Sequence, residues 1–382
     1  MGQVTTTPDS DPLELGPRVV EILQTGRRVA TYKLATLRAL IDYCVANYLP
    51  DDRAASLNVP LDDLADRVIE LYWRQVLPLT VKGTKHALKQ STGEKARILS
   101  AVERLRADAK ERLGATAKAN DREMSLRYVK LHLLEEYSLA RREVRNVLVW
   151  RPLYRLQRLP VGGSGKTVSD PFLYDDSWMR DKLSPHTIDE HGVVQLHPGV
   201  AWGLARLSGL LEPVLQVLWV DEVRRMNPVV RDDVPDLPGH LFGVDRVSLD
   251  RPFAALKDEF GDKCFYCDKR HAVEVDHVLP WSRSRIDGLA NLVQACRECN
   301  GNKRDSLPAL EHVGNALGRG KARLEQIADT IKWTADYDQV RSMGRGLYLS
   351  TPERSQTWLA VDHTEPLDHS NPPEWMLLGA NC

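Results

Sequence analysis

The 382-residue chain has almost no net charge, since 52 Lys and Arg against 53 Asp and Glu leave -1 at pH 7. Its pI is near 6.8. That balance excludes a globally cationic nucleic-acid coat, so any basic binding surface has to be local. The stretch from Met1 to Pro12 holds no apolar run behind a basic flank, so neither a secretory signal nor a membrane-spanning helix is expected there. Internal repeats and low-complexity blocks are lacking, which excludes a solenoid or a fibrous array. Cysteine is sparse. Of six, Cys44 and Cys382 stand alone, which excludes a disulfide framework and fits a reducing, cytoplasmic setting. A phosphate loop is missing too: Gly165-Lys166-Thr167 ends like one, but Pro160 stands where its first glycine is required. Val161 to Thr167 therefore reads as a flexible linker.

What remains is a folded chain, 42% hydrophobic, long enough for two or three domains with cores of their own. Residues 1–12 are expected to be disordered, and 13–160 to form a helical domain with little strand alternation. Within it, Thr31 to Ile41 places Leu34, Leu37, Leu40 and Ile41 on one face. Leu61 to Trp73 starts after Pro60 with Asp62 and Asp63 in its first turn, where acidic groups complement the helix dipole. Between Val81 and Pro160 there are nineteen Lys and Arg against nine Asp and Glu. Trp150, Arg151, Tyr154, Arg155 and Arg158 add stacking surfaces and phosphate partners, so this domain is a candidate recognition or sensor region. Exposed helix faces that are merely basic account for the pattern equally well. Residues 161–240 read as a linker plus an apolar, buried helix from about Gly199 to Arg225, with Arg231 to Gly239 as a Pro- and Asp-rich connector. Residues 241–335 read as a cysteine-bearing module with flanking helices at Pro252 to Phe260, Leu307 to Gly318 and Lys321 to Trp333. Residues 336–382 read as an extended tail steadied by Trp358 and Trp375.

The chemistry concentrates in the module. Cys264-Phe265-Tyr266-Cys267 and Cys296-Arg297-Glu298-Cys299 can each bite one tetrahedral metal, and together they supply the four thiolates of a closed structural zinc site. Between them, Ala272 to Leu279 is expected as a short strand and Asn291 to Val293 as its return, with a helix opening at the second cysteine pair and running through Lys303. A hairpin and one helix bury too little core to stand alone, so a structural metal is physically expected. By strand parity Val273, Val275 and His277 share the face toward the helix and Asn300, which sends Asp276 the other way unless the strand breaks there, as nearby Pro280 would allow.

The residues Asp276-His277, Asn291-Leu292, Cys296-x-x-Cys299-Asn300 and Lys303 resemble the HNH endonuclease family, the ββα-metal nucleases, in its subclass with a four-cysteine zinc site. The resemblance covers about residues 260 to 308. It implies a small zinc-stapled ββα-metal module, and the helical patterns on either side make the whole a mainly α protein with a helical N-terminal region and C-terminal helices. It further implies His277 as the general base. Asp276 and Asn300 would be oxygen ligands of a catalytic Mg²⁺ or Mn²⁺, and Asn291 a hydrogen-bonding group that holds His277 in place. Asn300 stands where the family name has its second histidine, which leans the metal toward a hard cation. Arg283, Arg285, Lys303 and Arg304 are expected to meet backbone phosphates of DNA, most simply double-stranded. Cutting both strands from one site per chain would need two protomers or two visits, so a homodimer or a protein partner is a candidate, and no membrane is implied. The competing reading is a zinc-stabilised nucleic-acid-binding or interaction module without turnover. A large helical domain ahead of a nuclease fits a restriction or antiphage effector, and also a mobile-element or repair nuclease.

Overall fold

A computed structural model describes residues 12–25, 30–48, 53–92, 96–113, 126–160, 167–230, 237–242 and 249–377. The expected disordered start, the linker at 161–166 and most of the connector at 231–239 lie outside the described residues. The chain divides into two units, Met1–Asp245 and Arg246–Cys382.

The first unit is built around α2 (Tyr32–Asn47), preceded by α1 (Pro12–Thr25). Leu34 through Ile41 are buried without a break, so α2 is a central helix rather than a one-sided one. Even Arg38 is inside, its guanidinium paired with Asp42 at 2.8 Å and Glu212 at 3.0 Å, as a buried cation requires. β1 (Leu57–Pro60) leads into α3 (Leu61–Trp73), whose Leu64, Val68, Ile69 and Tyr72 face inward. β2 (Leu79–Val81) and β3 (Thr84–His86) form a hairpin whose turn residues, Lys82 and Gly83, both have positive φ, the geometry of a tight primed turn. Then follow α4 (Arg97–Leu113), α5 (Leu126–His132) and α6 (Leu134–Leu148). The helix widens to a π turn at Val149–Leu153, where Pro152 has no N–H to give, before α7 (Tyr154–Leu156).

β4 (Arg158–Pro160) pairs antiparallel with β5 (Thr167–Ser169); α8 (Pro185–His191) follows, and β6 (Val193–Leu196) pairs with β1. The long α9 (Val200–Met226) packs along α2, and α10 (Leu237–Phe242) closes the unit. The sequence reading of α9 as buried holds for one side of the helix. Leu211, Leu215 and Trp219 are inside, but Leu210 is 72% exposed, and Val214 and Val217 are exposed beside it. By length and composition this helix would also suffice to cross a membrane.

The aromatic and basic stretch near residue 150 is engaged internally. Trp150 Nε1 donates to the Leu183 carbonyl at 2.8 Å, Arg151 and Arg155 pair with Asp181, and Arg158 lies over the Tyr154 ring.

The second unit contains α11 (Asp250–Phe260), β7 (Glu274–His277), the single turn α12 (Trp281–Ser284), β8 (Leu292–Ala295) and α13 (Arg297–Lys303). β7 and β8 are antiparallel, with Asp276 opposite Val293 and His277 opposite Leu292. α14 (Leu310–Leu317), α15 (Lys321–Thr330) and α16 (Tyr337–Ser350) follow. The unit ends in the hairpin β9 (Gln356–Ala360) and β10 (His363–Pro366) and a 3-10 turn at Glu374–Met376. The expected extended tail at 336–382 is thus corrected: its first part is a helix with Val340, Met343 and Leu347 buried, and the next part is a hairpin. Trp358 on β9 is 4% exposed and joins the cysteines, Ala295 and Tyr266 in one cluster. Its backbone exchanges bonds with Leu307 and Ala309, and its indole N–H donates to Asn302 at 2.8 Å. The architecture is mainly α with small strand pairs, as the sequence implied.

Candidate metal centre and nuclease site

The first cysteine pair sits on a tight turn in which the Asp268 N–H returns to the Cys264 carbonyl at 2.9 Å and Asp268 takes a positive φ. The second pair sits at the start of α13, with Cys296 just before its first residue. The four Sγ atoms lie within 4.8 Å of one another. Four thiolates around Zn²⁺ at about 2.3 Å would stand about 3.8 Å apart, so the set fits a tetrahedral zinc.

The electrostatics agree. Burial first, and then the neighbouring sulfurs, raise the Cys299 thiol. Burial also raises Cys264. At Cys267 burial is outweighed by the backbone N–H groups of Lys269 and Arg270, which bring it down to about 7. Crowded thiols of this kind ionise together only around a cation, and Cys267 is the one poised to ionise first.

Behind the cysteines runs a polar network that composition alone could not reveal. Lys303 is fully buried, and its ammonium donates to the Asp276 Oδ2 at 2.9 Å and to the His277 carbonyl at 2.8 Å. Tyr266, between the two cysteines of the first pair, donates its hydroxyl to the same Oδ2 at 2.5 Å. Burial, then the Asp276 carboxylate, hold that hydroxyl well above the usual phenol range, so it remains a donor.

Two sequence expectations change here. Lys303 does not reach outward to phosphate, because an ammonium at 0% exposure is held by its carboxylate and carbonyl. The parity reading also reverses: it is Asp276, not His277, whose side chain meets the helix, through Lys303. The His277 ring instead sets Nε2 2.8 Å from Oδ1 of Asp287, in the loop that leads to β8.

Asn291 is fully buried on that loop. Its Oδ1 accepts from the Leu279 N–H at 2.8 Å, and its amide donates to the carbonyls of Leu279 and Ile286 at 3.1 and 3.0 Å. One side chain therefore fastens both ends of the 279–286 excursion directly beyond His277. Arg319 adds a second clamp, giving bonds to the carbonyls of Leu289, Ala290 and Leu292. Burial lowers it to about 10, which still leaves the guanidinium charged at neutral pH.

With this geometry in view, comparison with known families becomes specific. The family model described as a domain of unknown function, DUF8808, matches residues 12–235, more than half of the chain. The chain belongs to that family. The family model described as HNH endonuclease matches residues 264–309. The hairpin and helix with their four-cysteine cluster thus fit an HNH module, following a DUF8808 domain in the chain. Neither the curated proteins nor the solved structures give a match.

In the HNH module, Asp276 is 7% exposed, with one carboxylate oxygen committed to Lys303 and Tyr266. Asn300 is half-buried on α13. Hard oxygen donors of this kind suit Mg²⁺ or Mn²⁺. Arg283 and Arg304 are exposed, while Arg285, held at a positive φ, is half-buried over the Trp281 ring. Four functional neighbours escaped the sequence reading: Tyr266, Asp287, Arg319 and Trp333, whose indole N–H donates to the Asp287 carbonyl at 2.7 Å. Tyr266 carried the one available signal, since it stands inside a metal-binding turn. The other three come from outside any motif spacing.

Proposed function

We propose that the HNH module of this DUF8808 protein is a metal-dependent endonuclease that hydrolyses DNA phosphodiester bonds, leaving 5′-phosphate and 3′-hydroxyl ends. The observation that carries the reading is the paired state of Asp276 and His277. A buried carboxylate is held by Lys303 and Tyr266, and among the described residues the neighbouring imidazole is anchored at one nitrogen. His277 takes a proton from water through its other nitrogen, the water oxygen attacks phosphorus, and the bond to the 3′ oxygen breaks. Asp276 and Asn300 would hold Mg²⁺ or Mn²⁺, which when bound neutralises charge on the scissile phosphate and the leaving oxygen. Asn291 keeps the loop after His277 in shape. The zinc held by Cys264, Cys267, Cys296 and Cys299 is structural. Exposed Arg283 and Arg304, with Arg285, meet phosphates of double-stranded DNA.

The test is plasmid cleavage by the full chain across a metal series. Nicking or linearisation is expected with Mg²⁺ or Mn²⁺, and its loss in H277A. Full-rate cutting by H277A would remove the assignment of the base. DNA binding with about one zinc per chain but no cleavage under any metal would support a binding module without turnover. We further propose a restriction or antiphage role in which the DUF8808 domain recognises DNA or a partner. A preference among unmodified, methylated and hypermodified DNA would support direct recognition of DNA by that domain, and indifference would favour a partner as its trigger.

A further inference from the structure

Asp287 belongs to no position of the motif, yet it is the group that fixes the His277 ring. Its Oδ1 lies 2.8 Å from His277 Nε2. A carboxylate can only accept a hydrogen bond, so Nε2 carries the proton and the lone pair of the neutral imidazole falls on Nδ1. Among the described residues no hydrogen bond to Nδ1 accompanies this contact. The side chains are 14% and 35% exposed, so the pair is set into the module but open on the carboxylate side.

The position of Asp287 is itself determined, from a segment beyond the 264–309 stretch of the HNH match. The Trp333 indole N–H donates to the Asp287 carbonyl at 2.7 Å. The next residue, Gly288, admits no side chain: a Cβ there would stand 2.3 Å from the Asp336 Cβ and 2.7 Å from the Ala335 carbonyl oxygen. Leu289 and Ala290 donate their N–H groups to the carbonyls of Thr334 and Ala335, both at 2.9 Å. The loop carrying Asp287 is therefore laid against residues 333–336 by three hydrogen bonds and a close backbone approach.

We infer that Asp287 is the positioning residue of the nuclease, holding His277 in the Nε2–H tautomer with Nδ1 left to act, and that Trp333 sets where its carboxylate stands. The inference rests on the nuclease reading for its kinetic consequence, but its chemical content, the tautomer, does not. Removing a partner that orients a working histidine lowers turnover by roughly 10- to 100-fold in comparable arrangements, and more where the tautomer is lost outright. The effect belongs in kcat, since Asp287 meets the ring and not the DNA.

The experiment has two arms on the full chain. In the first, cleavage kinetics are compared for the native chain, D287A, D287N and W333F. The expected order of kcat is native, then D287N, which keeps an accepting oxygen, then D287A, with W333F reduced a few-fold and KM for DNA little changed throughout. In the second, ¹⁵N–¹H correlation of the imidazoles, with His277 assigned through H277A, is expected to show the Nε2–H form in the native chain and a mixture in D287A. Native-like kcat together with an unchanged tautomer in D287A overturns the inference. If the native chain does not cut DNA at all, the nuclease reading fails while the tautomer arm still decides on the pair. Should D287A not fold, as judged by zinc content and helical signal, D287N and W333F carry both arms.

Discussion

Lys303 shows how far one residue's role can depart from its type. A lysine on a helix after a metal-binding cysteine pair reads as a phosphate contact, yet its ammonium is buried against Asp276 and the His277 carbonyl. Removing one member of a buried ion pair leaves an uncompensated charge, which costs about 3–5 kcal/mol. K303M is therefore expected to destabilise the second unit by that amount in a denaturant melt, and the double variant D276N/K303M to recover most of it. A K303M protein as stable as the native chain would mean the pair contributes nothing. The identity of Asp276, His277, Asn291 and Asn300 was legible because their spacing is a motif. The partners Tyr266 and Asp287 were not, because a hydrogen bond across 10 residues leaves no periodic trace.

At the scale of elements, hydrophobic period and turn chemistry marked several helices within a few residues, as at α11, α13 and α15. In α2 the helix and its buried Leu34, Leu37, Leu40 and Ile41 were legible but burial on its other sides was not, and the reading failed where residues 336–350 were taken with a polar tail although α16 buries one face of them. Gly288 is a sharp test of how these elements meet. G288A is expected to lower the melting temperature, since forcing a methyl into closed space costs roughly 1–3 kcal/mol. D336G in the same chain should restore only part of it, because the Ala335 carbonyl oxygen would still stand 2.7 Å from the new methyl. The β9 strand makes a second test. W358A empties the cluster beneath the cysteines at a cost of about 3–5 kcal/mol, and should speed zinc release to a chromophoric chelator, whereas an unchanged release rate would separate the tail from the metal centre.

For the molecule as a whole, two units with separate cores predict separate losses. Stripping zinc with a chelator should open residues 264–309 to limited proteolysis while a fragment close to 12–242 persists with its helical signal, because binding energy at a structural zinc is folding energy for the unit that holds it. Simultaneous loss of both units would refute that division. By itself the sequence determined the mainly α class, the four-cysteine cluster fit for a metal and the order of the HNH residues. All three are local patterns of residue type and spacing, and spacing survives without a fold. Only the tertiary structure decided that Lys303 faces inward, that Asp276 rather than His277 meets the helix, and that residues 319–336 brace the loop bearing Asp287. Those depend on which surfaces exclude water and which buried charges find a partner, and both are settled only when distant segments meet.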